Sequence, residues 1–341
     1  MIVNGRIDRR RLARALSTVE AGGDAAGAIL DECVPRETAL IGICGPPGAG
    51  KSTLVDCLAA AWAGRGMTVA VLSIDPSSPF SGGALLGDRI RMDRSEASER
   101  IYHRSIASRG RQGGLSNAAW DILTLLSSVG FDHVLIETVG AGQSDIDVLN
   151  VSDCVIVVDV PGLGDGVQAQ KAGIMEIADL YVVNKSDRPG ASRTLAELNL
   201  TVDGGYMGVA GVNRSEAIPG KARRTPDAGV RALMQRHGDP SAEPCWWRPP
   251  VLGATASHAE GIDEIMDAVD AFLGWLGDTG RDHTRQQARR TEHVRAAIHK
   301  RLVDLADRAI DWTTAVAAAD HISPHRLADQ LWPSVISRLN D

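Results

Sequence analysis

Three things are scarce in this 341-residue sequence. It has no excess of cations. Against 36 Lys and Arg stand 43 Asp and Glu, a net charge of -7, so no broad face can neutralise a nucleic-acid backbone or an anionic membrane surface, although local basic patches remain open. It has no long apolar run. Stretches such as Cys154 to Val158 fall far short of the roughly 20 residues that span a bilayer, and the opening MIVNGRIDRRR lacks the apolar core of a secretory signal. It also has no cysteine framework: Cys33, Cys44, Cys57, Cys154 and Cys245 are odd in number and widely spaced, unlike a disulfide scaffold or a CxxC zinc site. A soluble, cytoplasmic protein with no nucleic-acid or membrane partner is expected. Its length suits one large domain or about two of average size.

From Arg9 to Val34, Leu12, Ala15, Leu16 and Val19 recur at helical spacing and Gly22–Gly23 supplies a break, which predicts two short helices. From Ala39 the runs ALIGIC, TVAVLSI, HVLIE, CVIVVDV, LYVVN and PPVLGA alternate with helical stretches at Lys51–Arg65, Ser116–Val129, Val167–Ile177 and Ile262–Leu276. That alternation predicts an α/β fold, a mainly parallel sheet with helices on both faces. Between Arg188 and Pro249 the rhythm stops: Gly and Pro make up 14 of 62 residues, against 51 of 341 overall. The segment reads as a long loop or insertion, with TPDAGVRALMQRHG its best helical candidate and Lys221, Arg223 and Arg224 a solvated basic knot. Beyond Gly277, Val294, Ile298, Leu302, Leu305, Ala309 and Trp312 form a narrow apolar seam suited to helix pairing, on its own domain or on a second subunit.

The chemistry is concentrated in three short motifs. GPPGAGKST, Gly45 to Thr53 (Gly45, Pro46, Pro47, Gly48, Ala49, Gly50, Lys51, Ser52, Thr53), matches GxxxxGK(S/T) between a strand and a helix-forming stretch. In such a loop backbone N–H groups close around phosphates at the positive end of the helix, Lys51 reaches the outer phosphates and Ser52 offers its hydroxyl to Mg2+. Asn184, Lys185, Ser186 and Asp187 follow LYVVN as an NKxD element. There a carboxylate accepts the N1–H and N2–H groups of guanine, which adenine lacks, and a site built on such bonds rejects the analogue by about 10⁴. Glu137, in HVLIETVGAGQSD with Gly140 three positions on, takes the place of the DxxG acid that organises Mg2+, while the Gly140 amide senses the γ-phosphate. Ala141 stands where Ras-like proteins keep a water-positioning Gln, so hydrolysis is expected to be slow alone; Gln143 is near. In SIDPSSPFSGGALLGDRIRM, Asp75 and Asp88 either approach Mg2+ or serve as a turn residue and a helix start.

IDPSSPFSGGALLGDRIRM, SRGRQGGLS, ETVGAGQSD and NKSD together resemble the MeaB/ArgK family of G proteins, which includes the methylmalonic aciduria type A protein. The resemblance covers most of the chain except roughly 190 to 248. It implies a P-loop GTPase that acts as chaperone for an adenosylcobalamin-dependent acyl-CoA mutase such as methylmalonyl-CoA mutase. GTP hydrolysis to GDP would time cofactor delivery from a cobalamin adenosyltransferase and the removal of damaged cofactor; adenosylcobalamin itself belongs to the partner. By motif position, Lys51 and Ser52 are the P-loop pair, Asp75, Asp88 and Glu137 with Ser52 surround Mg2+, and Arg91 matches a family Arg. PGLGDGVQAQKAG resembles the family's third mobile loop, where Lys171 holds the place of a Lys that responds to the mutase; otherwise it is an ordinary exposed Lys. A cation brought to developing phosphate charge accelerates hydrolysis, which makes Lys51 and Lys171 catalytic candidates, beside Glu137 as the acid that organises Mg2+. The family's base-contacting SA element appears as Thr255 and Ala256, with Ser257 next, in GATASHAEG.

The resemblance further implies an N-terminal helical arm over 1–37, a GTPase domain over 38–277 with the insertion at 188–249, and a C-terminal helical segment over 278–341 that makes a homodimer. Where the family has a shorter Ala-rich helix and loop, the insertion is a place where a different client mutase would be read. Two other readings stand beside this one. A nickel-type metal-insertion GTPase would need a Cys and His cluster that the sequence does not display, and a P-loop small-molecule kinase is disfavoured by NKSD. His321 and His325 are four apart, but Pro324 between them argues against one continuous helix and no metal site is expected there. Trp246 and Trp247 are expected to pack at the start of the PPVLGA strand.

Overall fold

A computed structural model describes residues 2–3, 6–34, 36–75, 99–107, 117–138, 148, 151–162, 178–214, 236–238, 246–317, 319 and 322–337. The Val167–Ile177 helix, most of the TPDAGVRALMQRHG candidate and its basic knot lie outside the described residues. The chain divides into two compact units, Met1–Gln286 and Gln287–Asp341.

The first unit opens with β1 (Ile2–Val3) antiparallel to β2 (Arg6–Ile7), which corrects the purely helical reading of 1–37; Asn4–Gly5 between the two strands is the dipeptide that signals such a pair. Helix α1 (Arg9–Ala21), N-capped by the Asp8 carboxylate on Arg11 N–H, and α2 (Asp24–Asp31) follow, separated as expected at Gly22–Gly23. Then come β3 (Ala39–Cys44), α3 (Lys51–Gly64), β4 (Val69–Asp75), β5 (Ile101–Ala107), α4 (Asn117–Val129), β6 (His133–Thr138), β7 (Cys154–Asp159), β8 (Leu180–Val183), α5 (Ala191–Arg214), β9 (Val251–Gly253), a 3-10 turn at Ala256–His258, and α6 (Ile262–Asp278). Seven strands form one all-parallel sheet in the order β5-β4-β6-β3-β7-β8-β9.

Because helices cover both faces, β4, β6, β7 and β8 are buried along their whole lengths, which is why they read as unbroken apolar runs. One core packs α3 and α6 on the sheet through Leu54, Leu58, Trp62, Val269 and Phe272. On the opposite face Leu198 and Val202 of α5 meet Val155, Val157, Tyr181 and Val183. That helix corrects the reading of 188–249 as loop from its start: 24 residues, Ala191–Arg214, are helical. Gly204, Gly205, Gly208 and Gly211 conceal it in the composition, each worth about 1 kcal/mol against helix, while burial at Ala191, Leu198 and Val202 favours it. Nor does any apolar run mark β5, an edge strand whose middle residues His103, Arg104 and Ser105 are only partly buried.

A recurrent device sets the strand register. Asp132, Asp153 and Asp179 each stand immediately before a strand, and each carboxylate accepts a backbone N–H near the start of a neighbouring one. Asp132 takes Thr68 N–H at 2.7 Å, Asp153 takes Leu40 N–H at 2.9 Å, and Asp179 takes Val155 N–H at 2.8 Å. Asp179 holds far more. Its oxygens also receive Arg236 Nε at 2.9 Å, His237 Nε2 at 2.9 Å and the Arg285 guanidinium at 3.3 and 3.4 Å. Trp247 Nε1 donates to the Asp179 carbonyl at 2.9 Å, and the Trp247 ring packs on Phe272 and Trp275, as expected for that tryptophan.

Helix α7 (Arg281–Ala309) starts in the first unit and continues into the second, followed by α8 (Trp312–Ala317) and α9 (Pro324–Ser337). The apolar seam is therefore interrupted at Ile310–Asp311, and Trp312 belongs to α8. Val294, Ile298 and Leu302 are exposed. Helix α9 begins at Pro324, a position that suits a residue without an N–H, so no helix joins His321 to His325; His321 itself lies outside the described residues. Among the described residues no helix is long and apolar enough to cross a membrane.

Candidate functional site

Strand β3 is central, and the chain leaves it first toward β4 and β5, then toward β7, β8 and β9. The carboxyl edge beside β3 is thus the place where a parallel α/β sheet opens a crevice. The loop from Gly45 to Gly50 fills that edge. Gly45 has φ +145°, and a Cβ there would lie 2.2 Å from the Val158 carbonyl of β7, so only glycine lets the loop leave β3 against its neighbour. Gly50 N-caps α3 in the left-handed region, and a Cβ there would lie 2.5 Å from Asn184 Nδ2. No side chain among the described residues caps α3. Its first N–H groups and the positive end of its dipole therefore face the loop, a geometry that fits an anion.

Lys51 is buried, and its ammonium donates to the carbonyls of Gly45 at 2.8 Å and Pro46 at 3.3 Å. It thereby closes the loop on itself. Ser52 Oγ donates to Glu137 Oε1 at 2.6 Å. Glu137 lies near the end of β6 and Asp75 at the end of adjacent β4, where Ser73 is in register with Glu137; both carboxylates are buried. Two hard oxygen donors and a hydroxyl at one strand edge could hold a small divalent cation. Asp159, which no sequence motif singles out, ends β7 at the same edge; its carboxylate accepts Val160 N–H at 2.9 Å and its carbonyl accepts Asn184 N–H at 2.8 Å.

Asn184 joins three loops. Its Nδ2 donates to the Ala49 carbonyl at 2.8 Å, and its Oδ1 accepts the Ala256 N–H at 3.1 Å. Lys185, held at φ +58°, donates through Nζ to the Gly48 carbonyl at 2.6 Å. Ser186 Oγ donates to Val183 O at 2.7 Å and Ser186 N–H to Ala254 O at 3.0 Å. Thr255 and Ala256 are buried, while Ser257 and Asp187 are exposed. The structure thus brings together Gly45 to Ser52, Asp75, Glu137, Asn184, Lys185, Thr255 and Ala256. Asp88, Arg91, Gly140, Ala141, Gln143 and Lys171 lie outside the described residues. Cys57 belongs to no motif, yet its Sγ is 3.1 Å from the Ala256 carbonyl. Nothing in the local sequence signals that contact.

Comparison with known proteins agrees with this plan. A family model described as methylmalonyl Co-A mutase-associated GTPase MeaB matches residues 12–311. A Pyrococcus abyssi protein named as a GTPase is 36% identical over 337 residues, covering 96% of this chain and 94% of its own. GTPase ArgK of Escherichia coli is 33% identical over 294 residues, covering 84% and 79%. Among solved structures, that of a LAO/AO transport system kinase superimposes with a TM-score of 0.57 at 25% identity, covering 97% of this chain and 93% of the other. Matched over residues 12–311 by one family model and nearly end to end by such relatives, the chain belongs to the MeaB family of methylmalonyl-CoA mutase-associated GTPases.

Proposed function

We propose that this chain binds and hydrolyses GTP to gate adenosylcobalamin delivery to, and protection or repair of, an adenosylcobalamin-dependent acyl-CoA mutase, methylmalonyl-CoA mutase or a related enzyme. The observation that carries the nucleotide part is the Asn184 bridge. A single side chain ties the phosphate loop at Ala49 to the turn at Ala256, so one bound molecule with a phosphate end and a guanine end would meet both. Asp187 follows on the same loop, where its carboxylate accepts the guanine N–H groups. The family's association with methylmalonyl-CoA mutase supports the mutase part.

In this reading the uncapped start of α3 binds the phosphates. Lys51 exchanges the loop carbonyls for phosphate oxygens, moving its charge from a neutral to an anionic acceptor. Mg2+, when bound, neutralises charge on the phosphates, and Ser52, Asp75, Asp88 and Glu137 are the residues to hold it. Glu137 already fixes the Ser52 hydroxyl in place. Lys171 completes the site when the mutase docks, so hydrolysis is slow alone. The exposed seam of α7 pairs two copies into a homodimer, and the cobalamin adenosyltransferase is the second partner of the cycle.

The test is steady-state GTP hydrolysis by the purified protein, alone and with each adenosylcobalamin mutase of the same organism. One mutase is expected to raise the rate at least about tenfold, which corresponds to about 1.4 kcal/mol off the barrier. Tight GTP binding with no stimulation by any mutase would refute the chaperone assignment.

A further inference from the structure

The turn at Ala256 is held from two sides. Within itself it is closed by Ala259 N–H on Ala256 O at 3.2 Å and by Thr255 N–H on Glu260 O at 3.0 Å; these bonds fix its shape. Its place is fixed from outside. Asn184 Oδ1 takes the Ala256 N–H, Ser186 N–H reaches Ala254 O, and the Cys57 thiol donates to the Ala256 carbonyl at 3.1 Å. Cys57 is six residues along α3 from Lys51, about 9 Å at 1.5 Å per residue. The helix whose first turn faces the phosphate loop therefore also carries the turn assigned to the base. Followed through its bonds, the path is a closed ring: Ala49 carbonyl, Asn184 amide, Ala256 peptide, Cys57 thiol, and back along α3 to the loop.

We propose that Cys57 is a positioning residue for guanine recognition, its thiol pinning the Thr255–Ser257 turn to the phosphate-binding helix so that the two ends of the nucleotide site keep a fixed spacing. The inference rests on the GTP-binding reading above. A rigid spacing matters because hydrogen bonds weaken steeply with misalignment, and because an untethered turn would have to be ordered when the ligand binds. Asn184 holds the turn at the Ala256 N–H and Ser186 holds its entry at Ala254, while the thiol holds the Ala256 carbonyl and is the point that ties the turn to α3.

Cys57→Val and Cys57→Ser separate this role from packing. Valine removes the donor while keeping the site filled, with one γ atom more than cysteine; serine keeps a donor. Affinities for GTP and for ATP, and the KM and kcat for GTP, would be measured for both variants and the parent protein, with thermal melts to show that each is folded. Loss of one net hydrogen bond predicts GTP affinity three- to tenfold weaker in Cys57→Val, ATP affinity within about twofold of the parent, KM raised and kcat held. Cys57→Ser restores the GTP preference. If Cys57→Val binds GTP like the parent, or if GTP and ATP weaken in parallel, Cys57 merely packs α3 and the inference is overturned. A parent protein with no preference for GTP over ATP would instead remove the reading beneath it, and this inference with it.

Discussion

Replacing Asp179 by asparagine should be among the most damaging changes available outside the nucleotide site. The carboxylate is fully buried and carries Arg236, Arg285, His237 and the Val155 N–H together. Burial by itself would raise its pKa, but Arg236 and Arg285, with the hydrogen bond from His237, outweigh that effect and hold the group far below the usual carboxylate range. As an ionised carboxylate only accepts, His237 must donate through Nε2. An amide keeps the shape and removes the charge. At 3.3 Å from Arg285 the direct attraction is about 5 kcal/mol in an effective dielectric of about 20. Desolvation of the ions offsets much of it, and the net loss on removing one partner of a buried pair is about 3–5 kcal/mol. Arg285 keeps the Asp153 and Arg236 carbonyls and the face of Phe272, 5.0 Å from its guanidinium carbon to the ring centre, which argues for the lower half of that range. Two arginines lose their counter-charge, so about 4 kcal/mol in total is expected, a fall in Tm of about 8–16 °C for a unit of this size. Differential scanning calorimetry of Asp179→Asn beside the parent protein at pH 7.5 measures it. A fall of less than about 2 °C would mean that the cluster is electrostatically neutral to stability, its attractions wholly cancelled by desolvation.

Acid should destabilise the protein well before carboxylates titrate. His103 is held down to about 4, first by burial and then by Arg9, and His133 and His237 are lowered by burial as well. Below pH 6.5 the unfolded chain takes up protons that the folded one refuses, so stability is complete above 6.5 and falls as pH drops toward 4. His103 alone accounts for about 3 kcal/mol across that window. Urea melts at pH 7.5 and 4.5 should show the loss, and equal stability at the two values would contradict it. Gly45→Ala should weaken GTP binding at least tenfold and lower Tm, because its Cβ would meet the Val158 carbonyl at 2.2 Å in a backbone region that costs about 1–3 kcal/mol; parent-like binding by fluorescent GDP titration would show that the loop can rearrange.

Short segments of the sequence settle what lies among their own residues. Unbroken apolar runs mark strands buried on both faces, the glycines and Lys51 mark a loop between β3 and α3, and NKSD marks the end of β8, each from a handful of consecutive positions. Only folding settles what joins positions far apart. Residues 179, 236, 237 and 285 meet at one carboxylate, Cys57 meets Ala256 across 199 positions, and Ser52 meets Glu137 across 85. Helix α5 formed in a glycine-rich stretch because the backs of β7 and β8 offered an apolar surface to cover, and β5 paired at the sheet edge with polar residues at its middle because an edge strand is buried less than a central one. Burial and pairing of this kind depend on which surface is adjacent in space, and that quantity has no period or motif along the chain.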